Sequence, residues 1–216
     1  MPRLRSLRSG PIDISVVERS VLAPLEVLAL WDTDSISLQR HFQSLTTLML
    51  EAVTLRDAIS DPVEFPSLTF LSLWNMPGLK PHLNAPCRTT YHEGGTTQSE
   101  SFSAPLHSLV EYGIYGLESS YSEWHLAFPN LSRLSIRTNP PTIISFLDFF
   151  SNHRHSFPLL QTISAGFISS RFTKAEREIM EAKVRDLDVV LHLGAGASFH
   201  IPMFFGDVSH RPSNHL

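Results

Sequence analysis

The chain has 216 residues, enough to bury a sizeable core in one large or two small domains. Its 42% hydrophobic and 18% charged residues fit a folded protein. The net charge of −4 argues against nucleic acid, which requires a basic excess gathered on one face. No run of about 18 apolar residues is present to span a membrane, and the single cysteine, Cys87, excludes an internal disulfide or a multi-cysteine metal site.

The opening stretch, MPRLRSLRSG, is arginine-rich and lacks the apolar run of about 7–15 residues that a signal peptide carries. Within it begins a frame that recurs along the chain. With its first residue as position 1, the frame reads LRSLRS from Leu4, LEVLAL from Leu25, LTTLML from Leu45 and LTFLSL from Leu68. Weaker copies follow, CRTTYH from Cys87 and LVEYGI from Leu109, then LSRLSI from Leu131 and LQTISA from Leu160. The steps are 21, 20, 23, 19, 22, 22 and 29 residues. Periods of about 20–29 residues carrying L-x-x-L-x-L are the signature of leucine-rich repeats. One unit cannot bury its apolar face alone, so each copy needs a similar one beside it.

Before the frame stands Ala-Pro, at Ala23-Pro24, Ala85-Pro86 and Ala104-Pro105, or Phe-Pro, at Phe65-Pro66, Phe128-Pro129 and Phe157-Pro158. Proline has no N–H to donate, which suits the first residue of a strand. Each frame then predicts a strand with positions 4 and 6 facing the core and positions 3, 5 and 7 the other side.

Short helices are expected at Ser35–His41, Leu55–Ile59 and Ser122–Ala127, and an exposed loop over His92–Ser103. A longer helix is predicted where Ile143, Phe146, Leu147 and Phe150 form one stripe, with Thr142 as its N-cap after Pro140-Pro141. Beyond residue 170 the rhythm stops. Thr173-x-x-Glu176 is a capping box that opens a helix through about Arg185. DVVLHL (188–193) reads as a last strand and FHIPMFF (199–205) as an edge or covering segment.

The fold class predicted is α/β: a leucine-rich-repeat solenoid of about eight irregular repeats over residues 1–170, with a parallel concave sheet and short convex helices. Residues 171–216 form a helix–strand cap. The first edge, at Leu4 and Leu7, opens inside a repeat and is expected to be covered by a preceding segment or a partner.

Little in the chain points to catalysis. Gly194-Ala195-Gly196 lacks the third glycine and the helix of a dinucleotide fingerprint. His153 and His155 are the one close histidine pair and read as loop residues, and neither HExxH nor G-x-S-x-G is present. A hydrolase with a dispersed site around His92, Glu93 and Ser99 is the rival from the enzyme class. No catalytic, metal or cofactor-binding residue is assigned, and no cofactor is expected.

The informative residues are those predicted on the concave sheet. Position 7 reads Trp31, Glu51, Trp74, Glu93, Tyr115 and Arg137; position 3 includes Phe70, Glu111 and Arg133; position 5 includes Met49, Tyr91 and Ser135. Aromatic residues with interspersed charges suit a protein-binding face, because Trp, Tyr and Arg dominate binding hot spots. The competing reading is that loops of the same chain cover these aromatics.

In its wording the chain resembles the leucine-rich-repeat region of fungal F-box-like proteins. The resemblance rests on the FPxLxxLxL phrases, LNAPCRTTYHEGG (83–95), SFSAPLHSLVEYGIY (101–115) and FHIPMFFGDVS (199–209). It implies substrate recognition for a cullin-based, SCF-type ubiquitin ligase, with a protein substrate on the concave face. Neither nucleic acid nor membrane is an expected partner, and the setting is the cytoplasm or nucleus. Ahead of Leu4 there is no room for an F-box, so a ligase adaptor is expected only in a longer form. The asparagine ladder of regular repeats is also missing: position 9 is Val53, Met76, Leu117 and Ile168, and only Asn139 conforms. The rival within the binding class is a stand-alone scaffold unrelated to ubiquitin.

Overall fold

The structure is a computed structural model that describes residues 4–10, 25–33, 42–54, 63–76, 79, 83–86, 88–95, 106–116, 128–166 and 172–194. Cys87, Ser99, Gly196, the 199–205 segment and the three short helices expected at 35–41, 55–59 and 122–127 lie outside the described residues.

The described residues form a parallel-sheet solenoid. Its strands are β1 (Ser6–Ser9), β2 (Val27–Trp31), β3 (Thr47–Glu51), β5 (Phe70–Trp74), β7 (Thr90–Gly94), β8 (Glu111–Tyr115), β9 (Arg133–Arg137), β10 (Thr162–Gly166) and β11 (Val190–Gly194). They stand in chain order in one nine-stranded sheet. Two short strands, β4 (Val63–Glu64) and β6 (Leu83–Asn84), pair in parallel on the return side.

Six of the nine strands of the main sheet are entered the same way. The N–H of position 1 donates to the carbonyl three residues earlier: Leu45 to Phe42, Leu68 to Phe65, Arg88 to Ala85, Leu109 to Leu106, Leu131 to Phe128 and Leu160 to Phe157. Phe-Pro-x-Leu is therefore a β-turn with proline at its second position, where a fixed φ near −65° is favourable. This corrects the expectation that the proline starts the strand: Pro66 precedes the first strand residue, Phe70, by a turn.

At position 2 a row of hydroxyls bridges neighbouring units. Thr46 Oγ1 donates to the Glu26 carbonyl, Thr69 Oγ1 to that of Thr46, Thr89 Oγ1 to that of Thr69 and Ser132 Oγ to that of Val110, at 3.0–3.3 Å. The same carbonyls also accept two backbone N–H groups each, as Glu26 does from Thr46 and Thr47. Five of the strands, β2, β3, β5, β7 and β8, end on a left-handed residue at position 8, with Asp32, Ala52, Asn75, Gly95 and Gly116 all at positive φ. From there an N–H reaches the next strand's last carbonyl, as Asp32 does to Glu51 and Ala52 to Trp74.

The core fills one face of the sheet. Leu28, Leu48 and Leu71 lie side by side at position 4, and Leu30, Leu50 and Leu73 at position 6. Leu25, Leu45 and Leu68 at position 1 join them, with Phe42 and Phe65 from the turns. Each such side chain contributes roughly 1.5–3 kcal/mol by leaving water.

One register expectation is corrected. The turn at Ala85-Pro86 places Arg88, not Cys87, at position 1, and β7 pairs accordingly: Tyr91 stands beside Leu71, and Glu93 beside Leu73. Tyr91 and Glu93, expected on the concave face, point into the core, because a shift of one residue moves a strand's side chains to the opposite face. His92, expected in a loop with the residues after it, instead occupies position 5 of the strand.

On the return side β9 leads into α1 (Pro140–Asn152) and β10 into α2 (Lys174–Val184), and the two helices pack together with Lys183 paired to Asp148. Helix α1 buries the expected stripe of Ile143, Phe146, Leu147 and Phe150. Its N-cap is Asn139 rather than Thr142: Asn139 Oδ1 accepts from the Thr142 N–H at 3.0 Å, and the two prolines occupy the first helical turn. In α2 the expected capping box of Thr173 and Glu176 is present. After it, β11 continues the main sheet in register beside β10. His153 ends α1, its ring against Phe149 and its Nδ1 2.8 Å from the Phe149 carbonyl, and His155 sits in the following 3-10 turn. Among the described residues no helix is long and apolar enough to cross a membrane.

Candidate functional site

The sheet face opposite the core carries positions 3, 5 and 7, and its middle strands gather most of the large side chains. In the position 7 row, Trp31, Glu51, Trp74, Gly94, Tyr115, Arg137 and Gly166 stand on successive strands. Gly94 makes a gap that Trp74 uses: a Cβ there would lie 2.8 Å from the indole Cε3. Leaning across that gap, the indole meets Tyr115 with ring centroids 4.7 Å apart. From the other side Arg137 sets its guanidinium 5.2 Å from the Tyr115 ring centre. Tyr115 is thus covered and only 4% exposed, while Trp74 and Arg137 stay half-exposed. Burial pushes its phenol up to about 12, and Arg137 pulls it partly back.

A second line of contacts crosses the same strands at positions 3 and 5. The Phe70 ring meets His92 edge-on with centroids 5.3 Å apart. His92 Nε2 lies 3.7 Å from Glu111 Oε1, and Glu111 Oε2 lies 3.5 Å from an Arg133 nitrogen. At 3.7 Å the His92 contact is longer than a good hydrogen bond. Even so, His92 is the first cause that holds the Glu111 carboxyl below its usual range; burial opposes it, and Arg133 adds to the lowering. Arg133 itself is well exposed.

Toward β2 the face turns acidic. Glu51 stands between Trp31 and Trp74, and Asp32 follows Trp31 in the left-handed turn. Burial, then the charge of Asp32, raises the Glu51 carboxyl above its usual value. Among the described residues neither carboxylate has an ion-pair partner.

Eight of the ten residues expected on this face are therefore on it: Trp31, Glu51, Phe70, Trp74, Glu111, Tyr115, Arg133 and Arg137. Tyr115 is there as a covered ring rather than an exposed anchor. The other two, Tyr91 and Glu93, form part of a polar group inside the core. Glu93 accepts hydrogen bonds from Tyr91, at 2.7 Å, and from Tyr112, while Arg88 lies over the Tyr91 ring at 5.2 Å. Burial pushes Arg88 down to about 10 against the pull of Tyr91 and Glu93. Burial and the neighbouring Glu93 raise the Tyr112 phenol well above 10. His92 is a face residue that the leucine frame misplaces, and aligning the chain on its proline turns would find it.

The rival hydrolase arrangement requires His92 and Glu93 to converge. They are adjacent residues of one strand and point to opposite faces of the sheet. Among the described residues no group of three or more His, Cys, Asp or Glu could hold a metal ion. No family model matches the chain, and neither a curated protein nor a solved structure matches it.

Proposed function

We propose that this chain is a leucine-rich-repeat solenoid of about eight irregular repeats, non-catalytic, that binds a protein through the sheet face carrying Trp74. The observation that carries the reading is the half-exposed Trp74 indole packed at a tilt against Tyr115, with Arg137 against the same ring. Its supporting ring is already ordered by packing, so little side-chain entropy is lost when a partner covers it. The repeated frame supports the leucine-rich-repeat assignment. By its resemblance to F-box-like proteins, the proposed setting is substrate recognition for a cullin-based ubiquitin ligase, in the cytoplasm or nucleus. A stand-alone scaffold is the alternative, and one experiment separates the two.

The tagged chain is used to capture proteins from an extract of its source cells, beside a Trp74→Ala/Tyr115→Ala control that unfolds cooperatively like the parent. Loss of one such anchor costs about 2 kcal/mol, roughly thirtyfold in affinity. Specific proteins absent from the control lane are the expected result. A ligase adaptor among the captured proteins favours the ubiquitin setting, and its absence favours the scaffold. Identical capture in both lanes would overturn binding through this face.

A further inference from the structure

The two tryptophans of the position 7 row lean in opposite directions. Trp31 covers Gly10, just after β1, where a Cβ would lie 2.9 Å from the indole Nε1. Trp74 covers Gly94 on β7, on the other side of β3. Between them Glu51 is left with an indole turned away on each flank, and Asp32 follows Trp31 in the exit turn of the neighbouring strand. Four strand steps further on, the same row carries Arg137, against Tyr115, before it reaches Gly166. The row therefore has an acidic pole, an aromatic middle and a basic pole.

Resting on the binding role proposed above, we infer that this row takes an extended peptide segment lying across the strands, with a Lys or Arg over Glu51 and an Asp or Glu over Arg137. At about 4.8 Å per strand the poles stand roughly 19 Å apart, which an extended chain at about 3.3 Å per residue spans in roughly six residues. Apolar or aromatic residues between the two charges rest on Trp74. A cation over Glu51 gains charge attraction in a partly desolvated place and also neutralises the repulsion between Glu51 and Asp32. A segment in the reverse orientation sets like charges opposite each other at both poles and is rejected, which gives the face a sense of direction.

The test is a display selection with a library of random twelve-residue peptides against the intact 216-residue chain, run beside Glu51→Lys and Glu51→Lys/Arg137→Glu. The parent is expected to enrich peptides with a basic and an acidic residue about six positions apart. The single variant should lose the basic preference at least tenfold while keeping the acidic one. The double variant, with both poles reversed, should regain that preference at the same spacing, because the same peptides bind turned end for end. Thermal unfolding matched to the parent certifies each variant. Enriched peptides with no charge spacing, or a basic preference that survives Glu51→Lys or fails to return in the double variant, would overturn the inference while leaving a binding face that Trp74→Ala still abolishes. No enrichment with the parent would overturn it too, since a face already covered by the chain's own segments takes no peptide. In that case protein capture in the Trp74→Ala/Tyr115→Ala experiment decides the broader role separately.

Discussion

Strands β2, β3 and β5 and strands β7 and β8 hold equivalent places in one sheet, yet polar side chains enter the inward face only in the second group. The first three present leucine at positions 1, 4 and 6, nine leucines in a row of equivalent sites. In β7 the same three sites are Arg88, Tyr91 and Glu93, and β8 adds Tyr112. The backbone does not register the change: turn, pairing and left-handed exit repeat across both regions. Register here is a property of the main chain, and the core accepts a polar insert whose carboxylate is hydrogen-bonded from within the group. Glu93 receives two hydroxyls, and Arg88, nearby, rests on a tyrosine ring.

That difference predicts opposite responses to truncation. Glu93→Ala leaves two buried hydroxyls without their acceptor and removes a carboxylate whose charge favours the Arg88 cation, which should cost about 3–5 kcal/mol in urea unfolding. Replacing the group together, as Arg88→Leu/Tyr91→Phe/Glu93→Leu/Tyr112→Phe, should cost far less or even stabilise, since an apolar set of similar volume carries no desolvation penalty. A quadruple variant less stable than Glu93→Ala would show that the insert is more than a tolerated substitute for leucine.

The strand exits sharpen the comparison on the backbone side. Gly95 has φ +63, and a Cβ there would run into the Asn75 side chain, whereas Ala52 occupies the equivalent turn at φ 49 with its Cβ accommodated. Gly95→Ala should therefore cost about 1–2 kcal/mol, and Ala52→Gly should change stability by no more than about 1 kcal/mol. Equal losses at both sites would mean that the exit turns are not equivalent.

The smallest effects are expected on the far face, where two carboxylates shift in opposite directions. Glu111 is lowered in the folded chain, so its contribution is present above the unfolded value near 4.5 and is lost as pH falls through the folded one. Glu51 is raised, so its ionisation opposes folding above the same range, and protonation relieves it as pH falls. Glu111→Gln should thus destabilise the protein at pH 7 and converge on the parent at low pH. Glu51→Gln should stabilise at pH 7 and converge likewise. Chemical denaturation between pH 3 and pH 7 reads both, and the same sign for the two variants would contradict the geometry.

Much of this architecture is legible in the sequence, and the exceptions share a cause. The frame is recognised by its leucines, so it reads well wherever leucine fills the core and slips by one residue where Arg88 replaces it. Ala85-Pro86 carries the correct register in backbone terms, since the turn it forms closes on Arg88 whatever that side chain is. Asn139 reads as a ladder residue, but Pro140 and Pro141 prefer the first helical turn, which makes the residue before them the cap. The covering of Tyr115 depends on Gly94 of the neighbouring strand, and a periodicity within one strand carries no record of its neighbours.

The hydroxyl bridges at position 2 have a consequence for how such a chain can change length. The units opened by Thr46, Thr69, Thr89 and Ser132 offer their predecessors the same donors, so the contacts across those junctions are interchangeable. Excising one whole interval, from Thr46 to the residue before Thr69, would bring Glu26 against Thr69 and restore an equivalent junction. Removing a single residue inside a strand instead turns every later side chain of that strand to the opposite face. The molecule is thus tolerant of gain or loss by the unit and intolerant of gain or loss by the letter.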